Sequence, residues 1–354
     1  MSSSSQSSIG GYIDALLTTL SRSFDGAASR TGGPLGLAGA IAVALAGTYL
    51  TIPTFDRKTL PAVKRAPKLV KGKEGEPYPE DILPGGQWLE TPVGRIRYYE
   101  FGPEQPTAGY IVLVHGITTP QPWRHFGPEL NKAGYRVLSF DLPGRGASDS
   151  PQIPHDTHLF MSVLTYLLTA LPHWPTKFHL LGMSLGGGIV ANFAYYFPQR
   201  VDKLILMCPA GASPKKQLKT GTRLFGSGFL TIPLMEAMVK TLPMGLPLSN
   251  ANPLVAWQVH NHPGFFFSFL SSFRSGPIFD QAEVMKSIIR SMGSRVKAVW
   301  GDNDSVVPMS TISSLGEEGD ILMKSTITIP GGEHFMIVSR PRETVEAVLK
   351  LLSE

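Results

Sequence analysis

Residues able to act together chemically are spread over the second half of the sequence: a serine at 184, aspartates at 302 and 304, and a histidine at 334. The serine lies in Gly182-Met183-Ser184-Leu185-Gly186. Small residues two before and two after it permit a turn sharp enough to expose the hydroxyl. A serine, an acid and a histidine are the parts of a nucleophilic relay. The serine attacks, the histidine takes its proton, and the acid orients the histidine and stabilises the imidazolium. The five-residue serine pattern is common by itself, and by residue type either aspartate could serve. What gives these residues weight is the elements that carry them.

Short, β-branched, apolar runs mark strands at 95–101, 110–116, 135–141, 178–183, 201–207, 296–301 and 326–330. Helical patterns lie between or after them at 123–133, 156–171, 185–197, 309–316 and 341–353. Strands alternating with helices predict an α/β fold, a mostly parallel sheet covered on both faces. In such sheets ligands bind at the carboxyl ends of the strands. Those ends carry His115-Gly116-Ile117, Asp141, Ser184, Cys208, Asp302 with Asp304, and Gly332-Glu333-His334. Residues 211–284 break the alternation. Within 224–273 only Glu236 and Lys240 are charged, while Phe225, Phe229, Phe265, Phe266, Phe267, Phe269 and Phe273 recur, which predicts an inserted helical cap.

The motifs His-Gly-Ile-Thr-Thr (115–119), Asp-Leu-Pro-Gly-Arg-Gly-Ala-Ser-Asp (141–149), Gly-Met-Ser-Leu-Gly-Gly (182–187), Phe-Pro-Gln-Arg-Val (197–201), Gly-Asp-Asn-Asp-Ser-Val-Val-Pro (301–308) and Gly-Gly-Glu-His-Phe (331–335) stand in this order. Together they make residues 87–354 resemble the α/β-hydrolase superfamily, of the lipase and esterase kind with a helical cap. The resemblance implies an eight-stranded, mostly parallel sheet. It implies Ser184 as nucleophile, His334 as general base and Asp304 rather than Asp302 as the acid. It also implies an oxyanion hole from the backbone N–H groups of Ile117 and Leu185. Serine at 184 separates the chain from dehalogenase and epoxide-hydrolase relatives, which place aspartate there. The implied reaction is hydrolysis of a carboxylic ester through an acyl-enzyme, with a small-molecule or lipid ester as substrate and no cofactor. Thioester, amide or C–C bond hydrolysis would use the same triad. A non-catalytic binding module is the reading from another class, and an intact triad counts against it. Phe229, Met235, Phe266 and Phe269 are the expected lining of an acyl pocket, the alternative being that the cap packs on itself. Asp141, Arg145 and Asp149 are expected to fix a loop. His125, His155, His158, His173 and His179 are expected to be structural.

The 354 residues carry a net charge of +5, which raises the question of nucleic acid. Seven of the 32 Lys and Arg, however, lie within 57–73, directly after an apolar run, and no basic stripe interleaved with aromatics appears elsewhere. Nucleic acid is therefore not an expected partner. Residues 1–32 are Ser-rich and polar, 33–53 are an expected transmembrane anchor, 54–86 a basic, Pro-rich linker, and 87–354 the hydrolase domain with the cap at about 211–284. About 20 helical residues span a hydrocarbon core of ~30 Å. The basic flank then places the catalytic domain on the cytosolic side of a single-pass membrane protein, a mitochondrial membrane being the alternative. Asp14 and Asp25 count against a signal peptide or presequence. One cysteine, Cys208, excludes an intrachain disulfide. His260 and His262 form a lone His-x-His, and no metal site is expected.

Overall fold

The computed structural model describes residues 61–69, 78–118, 120, 122–217, 232 and 253–354. The expected anchor (33–53) lies outside the described residues, as do Phe229 and Met235. Among the described residues no helix is long and apolar enough to cross a membrane.

Eight strands form one sheet: β2 (Gly86–Thr91), β3 (Gly94–Phe101), β4 (Gly109–Val114), β5 (Tyr135–Phe140), β7 (Phe178–Met183), β8 (Val201–Met207), β9 (Val296–Gly301) and β10 (Thr326–Ile329). Their spatial order is β10-β9-β8-β7-β4-β5-β3-β2. The pairings β2 with β3 and β3 with β5 are antiparallel. The remainder are parallel. Every residue of β7 and of β9 is buried. That explains why these strands read as mainly apolar runs, with His179 and Lys297 the exceptions, rather than as an alternation: helices cover both faces.

The helices are α1 (Trp123–Lys132), α2 (Thr157–Ala170), α3 (Leu185–Tyr196), α4 (Pro253–Asn261), α5 (Phe265–Ser275), α6 (Ala282–Met292), α7 (Glu317–Lys324), α8 (Met336–Ser339) and α9 (Pro341–Ser353). Helices α4 and α5 fall inside the expected cap. The run expected as a helix at 309–316 is a 3-10 helix, Met309–Leu315. Helices α6, α7 and α8 are additional to the sequence expectation. In α6, Met285, Ile288, Ile289 and Met292 form one buried stripe, and the helix packs against α3.

The described parts of the stretch expected as a basic, Pro-rich linker lie against the domain. Strand β1 (Val63–Lys64) pairs antiparallel with β6 (Ser150–Pro151). Asp149 accepts from the Arg65 guanidinium at 2.7 Å and from the Ala66 and Arg95 N–H groups at 2.8 and 2.9 Å. Burial would raise the Asp149 carboxyl, but these donors hold it below the usual range. Tyr78 is fully buried and donates its hydroxyl to Asp141 at 2.8 Å. The carboxylates of Asp141 and Asp149 supply partners for this stretch that composition alone does not reveal.

Candidate active site

Ser184 stands between β7 and α3 with φ 55° and ψ −120°, a region that side-chain-bearing residues rarely enter. The turn is held by bonds to its backbone. The Ser184 N–H donates to Met207 O at 3.0 Å, and its carbonyl accepts from Gly187 and Ala210 at 2.8 and 2.9 Å. A Cβ on Gly182 would overlap the Gly186 carbonyl, and one on Gly186 would overlap the Val114 carbonyl. The strand, the turn and the helix can therefore close on one another only with glycine at both positions. Gly187 and Gly188, the next two, face Pro209 and Pro277 rather than the sheet. Within 178–194 Ser184 alone is not buried. It occupies the N-cap position of α3 yet its side chain makes no capping bond, which leaves the hydroxyl available.

His334, in the turn after β10, is buried and donates Nδ1–H to Asp304 Oδ2 at 2.8 Å. The other carboxylate oxygen of Asp304 accepts from the N–H groups of Val306 and Val307 at 2.8 and 2.9 Å. Burial alone would raise this carboxyl; the hydrogen bond from His334 and the Val307 N–H keep it below the usual carboxylate range. An ionised Asp304 only accepts, so Nδ1 carries the proton and Nε2 of a neutral imidazole keeps its lone pair. Asp302, two residues earlier, is exposed.

Cys208 directly follows β8, with φ 40°, and is fully buried. Donor atoms of Cys208, Asp304 and His334 lie within 4.8 Å of one another, a trio of types that can bind metal. Burial and the Asp304 charge push the thiol well above its ordinary pKa, so it stays protonated, and the Asp304 oxygens are engaged by N–H donors. The trio fits a hydrogen-bonded group better than a metal centre. Of the other candidate pair, His262 uses both ring nitrogens, accepting from Gly264 N–H at 3.1 Å and donating to Ser148 O at 3.0 Å.

The loop after β4 lies on the serine turn: a Cβ on Gly116 would sit 3.3 Å from the Ser184 Cβ. His115 is fully buried, and its Nε2 accepts from Leu142 N–H at 2.9 Å. Its Nδ1 therefore bears the proton and donates to Gly116 O at 2.7 Å. Burial lowers this imidazole to about 3, so it stays neutral. Gly116 C=O and Ile117 N–H belong to one planar peptide, so holding the oxygen turns the N–H the opposite way. Leu185 is the first residue of α3, where backbone N–H groups have no intrahelical acceptor. The Gly116 backbone thus borders Ser184, and Leu185, the other expected donor, follows it directly in the chain.

Of the expected pocket residues, Phe266 and Phe269 are described, on α5, and both are buried. Phe269 packs on Phe265 with ring centroids 6.0 Å apart. Sequence reasoning gave the cap only its apolar content and missed its polar residues. Gln258, Ser268, Ser271 and Ser272 are buried and bonded to the 141–155 region.

The chain resembles known proteins over this same framework. The sequence model for the alpha/beta hydrolase fold matches residues 109–341. An uncharacterised protein of Mycobacterium tuberculosis is 31% identical over 133 residues, 38% of either chain. This chain thus spans well under half the length of that relative. The 2-hydroxy-6-oxo-2,4-heptadienoate hydrolase of Pseudomonas putida is 28% identical over 245 residues, 67% of this chain and 83% of that one. Among solved structures, a membrane phospholipase A described as a bacterial virulence factor superposes with a TM-score of 0.58 at 22% identity, covering 76% of this chain and 85% of that one. A carboxylesterase of Nitrososphaera gargenis gives 0.57 at 19% identity, covering 75% and 98%. These two structural likenesses speak for the fold alone. The family match covers most of the sheet and both halves of the candidate site, and the chain belongs to the alpha/beta hydrolase family.

Proposed function

We propose that the protein is a serine hydrolase that cleaves a carboxylic ester with an apolar acyl group. The observation that carries this reading is Ser184 itself: partly exposed, uncapped, and held at φ 55° at the carboxyl end of β7, the sheet edge on which the bonded Asp304–His334 pair follows β9 and β10. Strain of this kind persists only where the surroundings over-determine it, and it clusters at functional sites. In the proposed reaction Ser184 Oγ attacks the acyl carbon while His334 Nε2 takes its proton. The Ile117 and Leu185 N–H groups stabilise the oxyanion. The alcohol leaves with the proton from His334, and water activated by the same imidazole hydrolyses the acyl-enzyme. Asp304 stays ionised throughout and stabilises the imidazolium.

The test is reaction with a fluorophosphonate probe. Wild type labels, and Ser184→Ala loses both labelling and ester turnover; undiminished labelling of that variant sinks the assignment. The similarity to the Pseudomonas putida 2-hydroxy-6-oxo-2,4-heptadienoate hydrolase supports C–C bond hydrolysis as the second reading, for which the same triad could serve. Parallel assays on p-nitrophenyl esters and on a vinylogous 1,5-diketone acid separate the two.

The uncharged stretch within 33–53 and the basic flank after it support a membrane-anchored enzyme with its catalytic domain in the cytosol. Protease treatment of sealed vesicles tests this part: a shielded catalytic domain refutes the topology.

A further inference from the structure

Three consecutive carbonyls in the loop beside Ser184 are each held by a side chain. Gly116 O accepts from His115 Nδ1 at 2.7 Å, Ile117 O from Arg145 Nε at 3.1 Å, and Thr118 O from Gln258 Nε2 at 3.1 Å. All three donor residues are fully buried. The loop has left the sheet, so no ladder fixes these peptides; side chains replace it. Two of the three donors tie the loop to the cap. Gln258 belongs to α4. Arg145 belongs to the 141–149 loop, but its Nη2 donates to Ser272 Oγ at 2.7 Å and to Ser268 O at 3.2 Å, both on α5.

We propose that Arg145 and Gln258 are positioning residues that couple seating of the α4–α5 cap to the aim of the Ile117 N–H at the developing oxyanion. The inference rests on the hydrolase reading given above. The peptide that contains the Ile117 N–H is held through its own oxygen by His115. The following peptide is held by Arg145, which fixes ψ of Ile117, and the next by Gln258. An oxyanion donor contributes through its direction, and a small rotation away from the oxyanion removes most of that contribution.

The choice of arginine is itself informative. Its described partners are the carbonyls of Ile117, Pro143 and Ser268, the Ser272 hydroxyl, and His155 Nδ1 at 3.4 Å. None of these is a carboxylate. A buried cation without an opposite charge is costly, and a packing role at this position would be met better by an apolar side chain. A planar fork of donors, by contrast, can reach the oxyanion loop, its own loop and α5 at once. Gln258 has the same bridging form: its Oε1 accepts from Gly146 N–H at 2.7 Å while Nε2 reaches Thr118. Ser268 Oγ donates to Gly144 O at 3.0 Å and completes the seam between cap and loop.

The test compares kinetics on a p-nitrophenyl ester with inhibition by an alkyl trifluoromethyl ketone, which binds as a tetrahedral adduct and needs the oxyanion hole. Arg145→Met and Gln258→Met are expected to lower kcat by about 10- to 100-fold, with KM within about threefold. The ketone should weaken in proportion to kcat/KM. Ser272→Ala, which removes one of the two bonds from Arg145 to α5 and leaves that to Ser268 O, should give a smaller loss of the same kind. Should Arg145→Met fail to fold by circular dichroism, Gln258→Met and Ser272→Ala carry the comparison. Folded variants that keep wild-type kcat, or that lose only in KM, overturn the coupling while leaving the hydrolase reading intact. A wild-type chain that neither turns over esters nor reacts with a fluorophosphonate overturns the hydrolase reading itself.

Discussion

Asp304 and His334, thirty residues apart, are joined by a 2.8 Å hydrogen bond in a buried setting, whereas Asp302 on the same loop faces solvent. The bond determines which imidazole nitrogen keeps its lone pair and therefore which can accept a proton from a hydroxyl.

Asp304→Asn should leave the fold in place and reduce kcat on the order of 10³- to 10⁴-fold, because an amide no longer holds the tautomer with a free Nε2. Asp302→Asn should change kcat less than about threefold, being exposed. Steady-state kinetics on both variants checks this, and the reverse ranking would reassign the acid.

The strained serine implies a trade between stability and activity. Ser184→Gly relieves the positive φ that Ser184→Ala retains. Both should be inactive, yet the glycine variant should unfold about 1 kcal/mol later than the alanine one, roughly 2–4 °C in Tm. Equal melting temperatures would show that the turn stores no strain.

Stability should respond to acid through the buried histidines. Burial lowers His155 to about 3, with the nearby Arg145 charge acting in the same direction. The unfolded side chain titrates near the ordinary value of about 6.5, so between there and about 3 only the unfolded chain takes the proton. Stability is therefore lost as pH falls through that window, at about 1.4 kcal/mol per pH unit for this residue. His155→Gln removes the term while leaving a donor for Pro151 O, which His155 Nε2 now contacts at 3.1 Å. Its stability measured in urea between pH 6 and 4 should fall less steeply than that of wild type by about this amount. Other groups, Asp141 among them, raised to about 7 by burial, act in both proteins and largely cancel. Parallel slopes would refute the assignment.

Acyl-chain length probes the substrate class. An apolar pocket gains about 0.8 kcal/mol for each buried CH₂. Across p-nitrophenyl esters in detergent, kcat/KM should rise from C2 to at least C8 if the phenylalanines of the cap contact the chain. A steady fall from acetate onward counts against a lipophilic substrate and leaves Ser184 untouched.

The sequence by itself determined the strand order along the chain, because buried parallel strands such as β7 and β9 are apolar at all but one position each, His179 and Lys297. It also determined the serine turn, since only glycine at 182 and 186 lets backbone approach so closely. Strand β2 escaped notice because Gly-Gln-Trp-Leu-Glu-Thr is largely exposed and carries no apolar run. Helix α6 was legible in principle from its amphipathic stripe but adjoins the cap, where the alternation of strands and helices had lapsed. The choice between Asp302 and Asp304 came from resemblance, and the ring that each aspartate can reach is decided by the path of the chain after β9 and β10. Tertiary structure alone decided the seam between cap and oxyanion loop. Gln258 and Thr118 are 140 residues apart, and Arg145 and Ser272 are 127 apart. Hydrophobic periodicity records which residues leave water, and buried polar partners chosen across such distances leave no period in the sequence.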